Sequence, residues 1–168
     1  MEQAIEQIKI ALVNSLSLDD NLRNQSLDFL TNHCEPNPEF QLALLYIISN
    51  NQGQASPPEY KQLQYQAILF MKNSLTRLLQ LPRNRKVFRQ NAAPGLTEQL
   101  REQIKAKLLE LVQTPDKVIL GQNSYEQLTL VVCIIVKYDF PASWVALNNW
   151  LLFMFENLFQ NLNSLSVD

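Results

Sequence analysis

Few residues in this chain have types and spacings that could do chemistry. His33 is the sole histidine and is followed by Cys34, with the second cysteine far away at Cys133. One imidazole and two separated thiols lack the paired spacing of a zinc site. Gly53, Gly95 and Gly121 are isolated, so no glycine-rich loop cradles a phosphate. No Ser–His–Asp set and no pair of carboxylates has an arguable catalytic spacing. The expectation is a protein without catalytic activity, cofactor or metal. His33 is expected to pack on the inward side of a helix.

A basic cluster is the next chemical feature. Arg83, Arg85, Lys86 and Arg89 fall in a long irregular segment and could meet RNA, a phosphate or an acidic protein tail. A solvated loop is the favoured reading, because Phe88 is the sole aromatic beside them and the chain's net charge is −2. General nucleic-acid binding is not expected.

The elements that position these residues read as helices. The chain has 168 residues, 46% hydrophobic and only 18% charged, with three glycines. Sandwiches and doubly wound sheets need more turn glycine than that. The apolar run Leu128–Val136 is too short to span a bilayer, which needs about 20 residues. The acidic N-terminal stretch carries no apolar signal segment, so a soluble intracellular protein with reduced thiols is expected.

Ala4, Ile5, Ile8, Ala11 and Leu12 form an i, i+3, i+4, i+7 stripe and open the first helix. Ser17 with Asp20 predicts the start of a second helix, with Leu22, Ser26, Leu30 and His33 on one face. Asn37-Pro38-Glu39 predicts a third, rich in Phe40, Leu44, Leu45, Ile47 and Ile48. Ser56-Pro57-Pro58-Glu59 predicts a fourth, running to about Leu79, and Thr97 a fifth. Thr114-Pro115-Asp116 predicts a sixth, ending near Tyr138, and Pro141 a seventh. Leu130–Val136 is β-branched enough for a strand. It has no strand to pair with, so a buried helix is expected.

Successive antiparallel pairs with a period of roughly forty residues predict an all-α chain, an α-solenoid of HEAT-type pairs. About three and a half repeats fit: residues 2–34, 37–80 and 97–138, with a basic loop at 82–96 and the first helix of a fourth repeat at 141–163. The second helix of each pair carries polar strips at helical spacing. These are Asn21, Asn24, Asp28 and Asn32; Gln62, Gln66, Asn73 and Arg77; and Gln122, Glu126 and Thr129. Read from residues alone, each strip is a solvated face. Asn73 is expected to satisfy a backbone group of the adjacent repeat, and Asp139 to cap the seventh helix, with Phe140 and Trp144 clamping it to the sixth.

Several motifs in order resemble one family. Arg23-x-x-Ser26 through Leu30, Pro38-x-Phe40, Ala67–Leu75 around Met71-Lys72-Asn73, and Asp139-Phe140-Pro141-x-x-Trp144-x-x-Leu147 look like the N-terminal region of importin-β-type nuclear transport receptors, the karyopherins. The resemblance covers nearly the whole chain. Gln64 stands where that family often has arginine, and Leu78 and Leu79 where a tryptophan is common. The resemblance implies that the inner helices grip the small GTPase Ran in its GTP form. Asp28, Asn32, Gln62, Gln66, Asn73, Arg77, Gln122 and Glu126 would be the contact residues. It also implies transported protein cargo and nuclear pore proteins as partners, no membrane insertion, and shuttling between cytoplasm and nucleus.

Overall fold

The computed structural model describes residues 2–37, 39–50, 58–80, 96–113, 121–139 and 144–165. Every regular element among them is helical. In chain order these are α1 (Glu2–Asn14), α2 (Asp20–Asp28) continued by a π-helical stretch (Phe29–Cys34), α3 (Phe40–Ser49), α4 (Pro58–Gln80), α5 (Glu98–Gln113), α6 (Gln122–Asp139) and α7 (Val145–Leu165). Leu130–Val136 lies within α6, so the strand alternative is excluded. No helix among the described residues is long and apolar enough to cross a membrane.

Sequential helices pack in pairs: α1 on α2 and its π-helical continuation, α3 on α4, and α5 on α6. Between pairs, α3 lies on α5, α4 lies extensively on α6, and α1 meets both α3 and α4. One continuous core results. It contains Ile5, Ile8 and Leu12 of α1, Leu44, Leu45, Ile47 and Ile48 of α3, Ile68, Met71 and Leu75 of α4, and Leu128, Val131 and Ile135 of α6. The sets on α1, α4 and α6 repeat by threes and fours, as one face of a helix requires, while α3 is buried on more than one side. The sixth helix is less enclosed than its composition predicts, because Leu130 and Cys133 turn to solvent. Ala4 is likewise exposed, at the edge of its stripe.

Buried amides fix the register of α3 against α4. Gln41 Nε2 donates to Ser74 Oγ at 2.6 Å, and Gln64 Nε2 donates to the Ile48 carbonyl at 2.8 Å. Tyr60 adds its hydroxyl to the Ile47 carbonyl at 3.2 Å. These bonds tie the start of each helix to the end of the other, which holds the pair antiparallel.

Helix starts follow local capping chemistry, with two shifts. The cap of α2 is Asp19 rather than Ser17: its Oδ1 accepts from the backbone N–H of Asn21 at 2.8 Å and of Leu22 at 3.3 Å. Ser17 Oγ instead accepts the Asp19 N–H at 3.1 Å and holds the cap in place. Thr97 Oγ1 accepts the Leu100 N–H at 3.3 Å, as predicted. Asn37 Oδ1 accepts the Glu39 N–H at 3.0 Å, but α3 begins at Phe40 with Glu39 in the cap position and no side-chain cap bond, so Asn37 shapes the turn before the helix and does not cap it. The predicted starts at 56–57, 114–116 and 141 lie outside the described residues. The sixth helix is described from Gln122, and Gly121 precedes it, so the cost of an internal glycine does not arise. Asp19→Ala is expected to cost about 1 kcal/mol in urea unfolding, and Ser17→Ala clearly less.

Two further residues have surroundings that local spacing does not announce. His33 is exposed, its side chain at 67% relative exposure. In the π-helical stretch Glu35 N–H reaches back five residues to the Leu30 carbonyl at 3.0 Å. The wider turn rotates later positions relative to an α-helical register. The half-buried Cys34 and the Glu35 side chain therefore turn inward in place of His33. Asp139 is a buried anchor, and the residues whose N–H groups it is expected to cap lie outside those described. Arg101 Nε donates to its Oδ2 at 2.8 Å, a second Arg101 nitrogen meets Oδ1, and Lys105 Nζ lies 3.3 Å from Oδ2. Lys105 and Asp139 are almost fully enclosed, and Glu102 closes on Lys105 from the solvent side. Phe140 lies outside the described residues, while Trp144 and Leu147 are buried at the start of α7.

Candidate partner-binding surface

Most of the polar strip residues reach the surface. Asn21, Asn24, Asp28 and Asn32 are exposed on α2 and its continuation, and Gln62, Asn73 and Arg77 on α4. Gln66 is half-buried, while Gln122, Glu126 and Thr129 of α6 are exposed. Asn73 therefore does not serve as the buried polar link expected of it; its neighbour Ser74 takes that position, facing Gln41. Arg83, Arg85, Lys86 and Arg89 lie outside the described residues.

Within strips, neighbours one turn apart bond to each other. Asn32 Nδ2 donates to Asp28 Oδ1 at 2.6 Å, and Gln122 Nε2 to Glu126 Oε1 at 3.3 Å. Thr129 returns its hydroxyl to the Tyr125 carbonyl at 3.0 Å. His33 Nδ1 lies 4.0 Å from Asp28 Oδ2, and its ring stacks on Phe29 with centroids 6.1 Å apart. Such internal bonds hold amides and carboxylates in defined orientations on an exposed face, which lowers the entropy a partner must remove.

Two links between helices were not legible in the sequence. Arg77 grips Glu35 in a two-point contact, Nε to Oε1 at 2.8 Å and Nη2 to Oε2 at 2.5 Å. That joins α4 to the end of the π-helical stretch. The hydrogen bond with Glu35 is the main influence raising the guanidinium pKa, opposed by partial burial and aided by the carboxylate's charge. Arg77 thus remains a cation whose strongest donors are already engaged. Lys72 Nζ donates to Gln127 Oε1 at 2.7 Å and joins α4 to α6, beside Asn73 and Glu126 of the strips. Both links depend on which helices become neighbours, and no local motif announces them.

The two thiols differ. Burial pushes the Cys34 thiol pKa up from its ordinary value, whereas Cys133 is exposed. Iodoacetamide at neutral pH is expected to alkylate Cys133 first, with Cys34 reacting only at more alkaline pH, read by mass spectrometry. Among the described residues no three His, Cys, Asp or Glu side chains converge as metal ligands. The surface offers hydrogen-bonding amides and a few carboxylates to another macromolecule. No family model, curated protein or solved structure matches the chain.

Proposed function

We propose that this chain is a stack of HEAT-type helix pairs forming the N-terminal part of a nuclear transport receptor. In this reading the second helices of the pairs bind Ran in its GTP form. Binding there changes the curvature of the array and the affinity for protein cargo. The observation that carries the reading is the order of the karyopherin-like motifs along helices that pack pair upon pair. Met71 is fully buried and Trp144 and Asp139 nearly so, as a structural role for those motifs requires. Support also comes from the exposed, preorganised strips on α2, α4 and α6. Asp28 and Glu126 are the exposed carboxylates on them and would face basic regions of the GTPase.

The experiment is a titration of Ran-GTP against the chain and against the double variant Asp28→Lys with Glu126→Lys. Both sites are exposed, so the variant should keep its fold. Loss of two charge contacts is expected to weaken binding by about tenfold or more at physiological salt. Unchanged binding removes the transport reading. It would favour a second one, a helical scaffold subunit of a larger assembly. The exposed apolar side chains Leu18, Phe153 and Phe155 favour that alternative, because such surfaces in a multi-subunit protein are normally covered.

A further inference from the structure

The helix that begins as α2 changes its winding part way. Asp20–Asp28 is α-helical and Phe29–Cys34 is π-helical, with no break between them: Asp28, Phe29 and Glu35 all keep right-handed helical backbone angles. The wider turn closes where the Glu35 N–H reaches the Leu30 carbonyl at 3.0 Å. Such a stretch is a rare local state, because i→i+4 bonding is the ordinary alternative for the same residues. A contact outside the backbone has to hold it. Leu30 is fully buried and fixes the inward direction. In an α-helix Glu35, five residues on, would lie about 140° round from Leu30 and face away from the core. In the π-helical register it returns over Leu30, and its side chain is only 15% exposed. There Arg77 of α4 takes both carboxylate oxygens, Nε to Oε1 at 2.8 Å and Nη2 to Oε2 at 2.5 Å. A two-point contact between guanidinium and carboxylate is directional as well as charged, so one register satisfies it and the other does not.

We propose that the Glu35–Arg77 pair is a latch on a helix with two registers. Engaged, it holds residues 29–34 as a π-helix; released, they rewind to an α-helix and Glu35 swings away from α4. Two arrangements of one packed element, separated by a one-residue shift of hydrogen bonds, form the kind of bistable unit on which conformational coupling depends. Arg77 is the accessible half of the latch, its side chain 55% exposed on the α4 strip. Release leaves its donor fork free for an anionic group of a partner, and re-aims the exposed Asn32 and His33. The strip on α4 and the end of the α2 strip are thereby linked, whichever partner uses them. One local influence is a rival cause. Thr31 Oγ1 donates to the Leu27 carbonyl at 2.6 Å, and a side chain inserted in this way can open the i→i+4 ladder without help from α4.

NMR couplings between an amide nitrogen and the carbonyl carbon across its hydrogen bond read the register directly. In the isotope-labelled full chain the Glu35 nitrogen is expected to couple to the Leu30 carbonyl. Arg77→Met removes the fork and Glu35→Gln removes the charge. In each, the amide at position 35 is expected to lose that coupling and gain one to the Thr31 carbonyl, a shift of about tenfold or more in the ratio of the two registers. The charge swap Glu35→Arg with Arg77→Glu should restore the Leu30 coupling, and Thr31→Val should leave it in place. Circular dichroism checks that each variant keeps its helices. A Leu30 coupling that persists in both Arg77→Met and Glu35→Gln overturns the proposal, as does a swap that fails to restore it. Conversion by Thr31→Val with Arg77 intact assigns the wide turn to its local hydroxyl and equally overturns the latch.

Discussion

Asp139→Ala is expected to lower stability by about 3–5 kcal/mol, among the largest losses available from one side chain in this protein. Asp139 and Lys105 have side chains only 2% and 1% exposed, and Arg101 is 15% exposed. Removing the carboxylate leaves two cations buried beside each other at the junction of α5 and the end of α6. Solvent does not reach Lys105, which keeps its ion pair with Glu102 on the surface side. A double-mutant cycle separates this penalty from the net contribution of the pair. Lys105→Met with Asp139→Leu removes both charges and keeps volume, so the double variant should be more stable than Asp139→Ala alone. Urea unfolding gives the comparison through the midpoint at unchanged slope. A loss below about 1 kcal/mol for Asp139→Ala would mean that the cluster is solvated.

Leu128→Ala is expected to cost about 2–5 kcal/mol, and Leu130→Ala no more than about 0.5 kcal/mol. Leu128 is fully buried in the shared core, whereas Leu130 is 47% exposed. In a strand the two would point to the same face, since side chains alternate with period two. In the helix they lie about 200° apart, and Leu128 shares its face with Val131 and Ile135. Truncating Leu128 removes apolar contact where α6 enters the core and leaves a cavity that rigid neighbours fill only in part. Comparable losses at both positions would contradict the helical phase of α6 and the packing of α4 on α6 built from it.

The helical class was legible because it is written in short-range signals. Scarce glycine, the apolar stripes, and the cap at Thr97 each act within a few residues. The departures arise where backbone path or tertiary neighbours decide what residue types leave open. Ser17 and Asp19 are both good cap residues two positions apart, and only the backbone path decides that Asp19 accepts the first free N–H groups. An α-helical period puts His33 inward, and the π-helical stretch does not keep that period. Asp139 reads locally as a cap before proline, while its partners Arg101 and Lys105 come from another helix. For the candidate surface, the exposure of Asp28, Asn32, Gln62, Gln122 and Glu126 follows from polar spacing alone. The Arg77–Glu35 and Lys72–Gln127 links could not be read that way, because they join residues 42 and 55 positions apart.

The most direct test of the transport reading is the nucleotide dependence of Ran binding. Immobilised chain should be titrated with Ran loaded with GTP or with GDP, at physiological salt and with the same preparation of both proteins. A receptor that recognises the GTP form must bind it more tightly, because only differential affinity for the two states can couple the nucleotide to cargo release. The account predicts binding at least tenfold tighter to Ran-GTP, equivalent to about 1.4 kcal/mol. Equal affinity for the two forms, or no binding to either, would contradict it.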